Sequence, residues 1–253
     1  MNNGVIATIG QQIKQAQRIL LVSHIRPDGD AIGSLLGLGL ALQLAGKKVQ
    51  MVSSDGVPGN LRELDGCDQV ILKPSGEYDL TIVLDCSDII RTGDVLKEVE
   101  ARYTHPDINI DHHTTNLMFA KNNLVETEAV ATAEILARVL PEWGLPIKPP
   151  VAAALLTGII TDTIGFRTAN MTSRAMRIAA NLMDAGADLP DLYRRVLVER
   201  SFEAARYWAM GLKSLQREDG IVWATLTFAD RKAVEYPGSD DADLINLLAS
   251  IKD

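Results

Sequence analysis

The sequence predicts an α/β fold: a mostly parallel, doubly wound sheet with flanking helices, then a helical connector and the start of a second, incomplete α/β lobe. Three observations lead there. Short apolar runs rich in branched residues alternate with longer segments of helical period; glycines and prolines punctuate each change of period; and from Ser173 the pattern stays helical until a new strand-like run opens after Gly220.

In chain order, strands are expected at Ile19–Ser23, Val49–Val52, Gln69–Leu72, Leu80–Leu84 and Ile108–Ile110. Ala31–Ala45 reads as a helix closed by Gly46, a residue suited to a C-terminal cap. Ala129–Leu140 and Val151–Thr161 are helical, with Pro141, Pro146, Pro149 and Pro150 marking the break between them. "SRAMRIAANLMDAGA" and "LPDLYRRVLVERSFEAARYWAMGLKSLQ" form two further helices, separated at Gly186 and Pro190. The strand-like "IVWATLTF" and one helix over Asp241–Lys252 follow, too little to bury a core alone. The expected organisation is therefore a sheet domain over 1–190, a connector over 191–218 and the beginning of a second lobe over 219–253.

Composition narrows the class. Of 253 residues, 47% are apolar, enough for one large domain or two moderate ones. No apolar run is long enough to span a bilayer, and "MNNGVIATIGQQIKQAQ" lacks the basic start and apolar block of a secretory signal, so the expected location is the cytoplasm, with no membrane partner. Cys67 and Cys86 are too few for a disulfide framework and read as small buried residues. A net charge of −8 argues against sequence-independent binding to long nucleic acid, but not against a short or small phosphorylated substrate.

The chemistry gathers at strand ends. His24 closes the first strand, with Asp28 and Asp30 after it; Asp85 closes "LTIVLD"; Asp111, His112 and His113 close "INIDHH"; and Asp162 ends the helix "VAAALLTGIITD". Open α/β sheets bind ligands at the carboxyl ends of their strands. The fourth histidine, His105, precedes a proline and reads as solvated; Asp88 and Asp94 read as caps or turn formers. Glu126, Glu128, Glu134 and the charges of "LYRRVLVERSFEAAR" read as solvated helix faces. Carboxylates crowded this closely favour protonation unless a cation sits among them. Carboxylate and imidazole ligands without thiolates suit manganese, magnesium, iron or cobalt better than structural zinc. So many ligands suggest two ions, the usual arrangement for metal-assisted phosphoester hydrolysis.

The stretches "SHIRPDGDAIGS", "VLDCSD", "NIDHHTTN" and "TGIITDTIGFRTANMTS", in that order between about residues 18 and 215, resemble the four motifs of the DHH phosphoesterases. Within that family, "FRTANMTSRAMRIAANLMDAGAD" is similar to the bifunctional oligoribonuclease and 3′-phosphoadenosine 5′-phosphate phosphatase group. The resemblance implies that His24, Asp28 and Asp85 hold one manganese ion and Asp30, Asp85, His112 and Asp162 a second, with Asp85 bridging; magnesium or cobalt are the substitutes. It implies that His113 touches the scissile phosphate or assists the leaving group, that Asp111 orients its neighbouring histidine, and that Arg167 takes a substrate phosphate. The implied substrates are short RNA and 3′-phosphoadenosine 5′-phosphate. A phosphodiesterase for linear or cyclic dinucleotides, an inorganic pyrophosphatase and a non-catalytic nucleotide binder are the alternatives. The group carries a glycine-rich GGGH-type motif in a second lobe; none occurs here, so that lobe is expected to be truncated, with substrate grip the part affected. The connector's apolar stripe suits pairing with a second copy.

Overall fold

The structure, a computed structural model, describes residues 3–96, 105–238 and 241–251. Two units divide the chain, Met1–Leu197 and Val198–Asp253.

Six strands carry the first unit: β1 (Arg18–Val22), β2 (Lys48–Val52), β3 (Val70–Ile71), β4 (Leu80–Leu84), β5 (Ile108–Asp111) and β6 (Asn122–Val125). Their order is β3-β2-β1-β4-β5-β6 and every pairing is parallel, with Leu21 of β1 opposite both Met51 of β2 and Ile82 of β4. Strand order therefore reverses between β1 and β4, and a crevice opens outside their carboxyl ends at such a switch point. Alternation along the strands sorts the core. Ile19, Leu21, Ile82 and Leu84 point to one face, covered by α1 (Asn3–Gln15), α2 (Gly29–Leu44), α3 (Thr132–Glu142) and α4 (Pro149–Asp162). Leu20, Val22 and Val83 point to the other, against Val52, Cys86, Val95 and Leu96. Two further helices, α5 (Ser173–Asp184) and α6 (Leu189–Tyr193), follow in the unit.

One contact sets the geometry of the site. Helices α2 and α4 meet at backbone distance: a methyl group on Gly33 would lie 2.5 Å from the Ala154 carbonyl oxygen and 2.8 Å from the Gly158 nitrogen. Only a residue without a side chain allows that approach. It places Asp30, at the start of α2, beside the end of α4 that carries Asp162.

The described elements depart from the sequence expectation at several points. Helix α1 buries Ile6, Ile9 and Ile13 against the sheet. Strand β6 begins with two asparagines, which hide its period, and lies at the sheet edge, where only one neighbour must be satisfied. Pro149 and Pro150 start α4 rather than separate it from α3, because the first helical residues need no N–H partner, and Pro141 is carried in the last turn of α3. The long helix expected after Pro190 is interrupted: α6 runs into one π-helical turn, Arg194–Val198, and a new helix, α7 (Phe202–Lys213), begins at the Ser201 cap.

In the second unit, α7 precedes an antiparallel hairpin of β7 (Gln216–Glu218) and β8 (Ile221–Trp223), then α8 (Phe228–Ala233) and α9 (Leu244–Leu248). Asp219 and Gly220, both at positive φ, make the tight turn that suits right-twisted strands. "IVWATLTF" is thus a strand only as far as Trp223, and of the expected helix Asp241–Lys252 the structure gives Leu244–Leu248; Lys252 lies outside the described residues. Ala204, Tyr207, Val234 and Ala242 form its small core. No described helix is long and apolar enough to cross a membrane.

Candidate metal centre

At the carboxyl ends of β1, β4 and β5 the chain turns sharply, and each turn delivers one part of the centre. His24 follows β1 and is buried. Its Nδ1 lies 2.8 Å from the Ile25 carbonyl oxygen. A carbonyl only accepts, so Nδ1 carries a proton, and Nε2 faces Asp85 Oδ2 at 3.5 Å and Asp28 Oδ2 at 3.8 Å, able to give them a proton in the metal-free centre and to turn a lone pair to a cation once that proton is lost. His112 repeats the device. Its Nδ1 donates to the Ala129 carbonyl at 3.3 Å, and Nε2 faces Asp162 Oδ2 at 3.5 Å, Asp85 Oδ1 at 3.7 Å and Asp30 Oδ2 at 3.9 Å.

Asp85 stands between the two imidazoles, one carboxylate oxygen toward each. It occupies the first position after β4 with φ +53°, a left-handed conformation that costs a non-glycine residue on the order of 1 kcal/mol and is held because the surroundings demand it. Its amide donates to the Ile110 carbonyl at 3.0 Å, and Thr132 Oγ1 donates to its Oδ1 at 3.0 Å. Asp30 is fixed by the N-terminus of α3: Thr132 N–H donates to Oδ2 at 2.6 Å and Ala133 N–H to Oδ1 at 2.9 Å. Asp28 caps α2 with Oδ1, accepting from the amides of Asp30 and Ala31, and keeps Oδ2 for His24.

His113 lies beside the same cluster. Its Nδ1 donates to Asp111 Oδ1 at 2.7 Å, while the buried Asp111 accepts at Oδ2 from Asn116 Nδ2 at 2.6 Å. Asn116 Nδ2 also reaches Asn109 Oδ1 at 2.8 Å, so a small polar network braces Asp111 from below. The Asp111 bond pushes His113 up to about 9, against burial, which lowers it.

Proton affinities report the crowding. Burial, then the charges of Asp85, Asp162 and Asp28, hold Asp30 well above the usual carboxylate range. Burial and the charge of Asp85 push Asp162 up to about 6, although His112 pulls the other way. Burial alone would raise Asp85 too, but the His24 bond and the charges of three imidazoles keep it below the ordinary value. Burial likewise opposes the rise at His24, where the bond and charge of Asp85 prevail. Without a cation Asp30 thus holds a proton and Asp162 takes one up as pH falls through about 6, which relieves the repulsion, and a divalent cation relieves the same repulsion by replacing them.

The donors suit that cation. Three groups, His24–Asp28–Asp85, Asp30–His112–Asp162 and Asp85–His112–His113, each bring ligand atoms within 4.8 Å of one another. Both inward imidazoles have the proton on the far nitrogen and that nitrogen bonded to a carbonyl, the arrangement that fixes a metal-ligating histidine. The sheet edge therefore brings together His24, Asp28, Asp30, Asp85, Asp111, His112, His113 and Asp162. Arg167 is exposed, and its Nε–H donates to the Ile164 carbonyl at 2.9 Å.

Several supporting residues carry no sequence signal of their own. Thr132, Asn109 and Asn116 are ordinary polar residues in the sequence. Glu134, expected on a solvated face, is fully buried. Its Oε2 accepts from Val130 N–H at 2.6 Å and its Oε1 from Arg174 Nε at 2.6 Å, while Arg174 Nη2 donates to the Glu128 carbonyl at 3.0 Å. Together they clamp the turn that supplies both the Ala129 carbonyl and Thr132. Glu126 is likewise not simply solvated; it pairs with Arg138.

An open parallel sheet with a carboxylate–imidazole cluster at its switch point defines a class of metal-dependent hydrolytic centre. The chain belongs to the DHH family: a model described as "DHH family, N-terminal domain" matches residues 18–159. It is similar to the bifunctional oligoribonuclease and PAP phosphatase NrnA of Thermus thermophilus, 36% identical over 182 residues that cover 70% of this chain and 53% of the relative. The alignment thus spans about half the length of that protein. A probable manganese-dependent inorganic pyrophosphatase of Exiguobacterium is 26% identical over 212 residues, 76% of this chain and 67% of the relative. Among solved structures, an exopolyphosphatase-related protein from Bacteroides fragilis superposes with a TM-score of 0.88 at 25% identity, covering 98% of this chain and 77% of that one.

Proposed function

We propose that the protein hydrolyses short oligoribonucleotides, releasing nucleoside monophosphates, and 3′-phosphoadenosine 5′-phosphate, with two divalent cations, manganese foremost. The observation that carries this reading is the placement of Asp85, whose two oxygens face different imidazoles, each imidazole backed by its own further carboxylates. His24, Asp28 and Asp85 would hold one cation and Asp30, Asp85, His112 and Asp162 the other. Bound there, the cations supply Lewis acidity toward phosphoryl oxygens and a water of lowered pKa. The names of the Thermus and Exiguobacterium relatives support the substrate class and the metal respectively.

The chain's own groups do the rest. Asp111 holds a proton on His113 Nδ1 and favours the imidazolium, pushing the group up to about 9 in the metal-free centre, and Nε2, without a partner among the described residues, would give a proton to the departing oxygen. Thr132 and the α3 N-terminus keep Asp85 and Asp30 aimed inward. A net charge of −8 and only 5% aromatic residues favour a short substrate read through its phosphates.

The test is turnover of three substrates, with manganese and with chelator: a 5′-phosphorylated RNA dinucleotide, 3′-phosphoadenosine 5′-phosphate and inorganic pyrophosphate. Manganese-dependent release of monophosphate from the first two is the expected result. Cleavage of pyrophosphate alone would favour the second reading, an inorganic pyrophosphatase. Manganese binding without any product would mean a nucleotide binder.

A further inference from the structure

A guanidinium stands at the edge of the metal centre with no carboxylate partner among the described residues. Arg91 lies in the single 3₁₀ turn Ile89–Thr92 beyond β4, and its Nη2 is 3.4 Å from His24 Nδ1. That nitrogen already gives its proton to the Ile25 carbonyl, so it has no lone pair for Arg91, and the contact is one of packing. Among the described residues no carboxylate pairs with Arg91, although its neighbour His24 borders both Asp28 and Asp85.

The position is built. Arg91 N–H donates to the Asp88 carbonyl at 3.0 Å, the Arg91 carbonyl accepts from Ile25 N–H at 2.6 Å, and Asp88 Oδ1 caps the turn through Ile90 N–H at 3.0 Å. The loop after β4 is thereby tied to the loop after β1, and the half-buried side chain starts from a fixed point at the switch point itself. A permanent positive charge beside an imidazole that turns its lone pair toward a cation works against that cation. The arrangement becomes favourable when an anion lies between the two charges. An arginine also has five donors in a planar fork that matches two phosphoryl oxygens.

We propose that Arg91 is a substrate-binding residue that takes non-bridging oxygens of the phosphoryl group presented to the centre, the role the sequence resemblance assigned to Arg167. The ligand class is a phosphate monoester or diester. The assignment rests on the phosphoesterase reading above.

The experiment titrates inorganic phosphate into the manganese-loaded chain by calorimetry, for the wild type, Arg91→Met, Arg91→Lys and Arg167→Met, with manganese affinity measured separately for each. Arg91→Met is expected to lower phosphate affinity tenfold or more while manganese binds as tightly as before or more tightly. Arg91→Lys should restore only part of the loss, because an ammonium group cannot make the paired contact. In turnover, Arg91→Met should raise KM by at least the same factor. Unchanged phosphate affinity in Arg91→Met, loss in Arg167→Met instead, absence of phosphate binding by the wild type, or a parallel loss of manganese affinity in Arg91→Met would each overturn the assignment; the last would make Arg91 a support for His24. Phosphate binding that depends on Arg91, in a chain that cleaves no phosphoester, would instead sink the phosphoesterase reading and keep the anion site.

Discussion

Replacing Gly33 by alanine tests whether the backbone contact between α2 and α4 builds the metal centre. The added methyl would sit 2.5 Å from the Ala154 carbonyl oxygen, 2.8 Å from the Gly158 nitrogen and 3.1 Å from the Gly158 Cα. Comfortable carbon contacts begin near 3.5 Å, so the helices must part by about 1 Å. The obstacles are backbone atoms that cannot rotate away, which puts the overpacking cost near the upper end of the usual range, ~3 kcal/mol. Alanine returns ~1 kcal/mol through its better helix propensity. The net loss of ~2 kcal/mol corresponds to a Tm lower by about 4–8 °C for a unit of this size. Because Asp30 lies one turn before Gly33 and Asp162 one turn after Gly158, the same separation should weaken manganese binding. Gly4→Ala is the control: nothing lies within 4 Å of a methyl there, so the same exchange should hold or raise Tm. Thermal melts and manganese titrations read both quantities. A Gly33→Ala protein as stable as Gly4→Ala, with full manganese affinity, would refute the reasoning.

Three other outcomes follow from the site. In the metal-free protein His113 should titrate near pH 9, because its folded-state pKa is raised above the ordinary 6.5; the stability it contributes is complete below 6.5 and lost as pH rises through about 9, and in Asp111→Asn the NMR midpoint should fall back by more than one unit. Asp162, raised to about 6, binds its proton more tightly in the folded than in the unfolded state, so the metal-free protein should gain stability as pH falls from about 7 to 5. The manganese-loaded protein should do the opposite, since protons then compete with the metal; parallel Tm profiles for the two forms would contradict this. Arg174→Met, which releases the turn beneath His112 and Thr132, should weaken manganese binding by about 10–100-fold, with recovery in Arg174→Lys where a single charged contact to Glu134 suffices.

What the sequence made legible has physical reasons. β4, buried on both faces, announces itself as LTIVL over its full length, whereas β6 opens on two asparagines that an edge position tolerates. The clustered aspartates and histidines were legible because such residues at the ends of apolar runs need partners, and a folded parallel sheet brings those ends together. Their supports were not legible. Thr132 acts through its own amide and hydroxyl on Asp30 and Asp85, about a hundred and about fifty residues away in the chain, and nothing in "AVATAEIL" marks it. Glu134 reads as a helix-surface charge until Arg174, forty residues on, is seen to cover it. Arg91 and Arg167 look alike in sequence, each an arginine shortly after a motif, and only the turn beyond β4 sets one of them against His24.

The centre stands or falls on Asp85. Manganese bound per chain, counted by equilibrium dialysis and read by electron paramagnetic resonance for spin coupling, should be two coupled ions in the wild type. In Asp85→Asn, with Asp85 no longer ionised between His24 and His112, coupling and hydrolysis of a 5′-phosphorylated RNA dinucleotide should both disappear. Two coupled ions and undiminished turnover in Asp85→Asn would contradict the assignment of Asp85 as the shared ligand, and with it the two-cation mechanism.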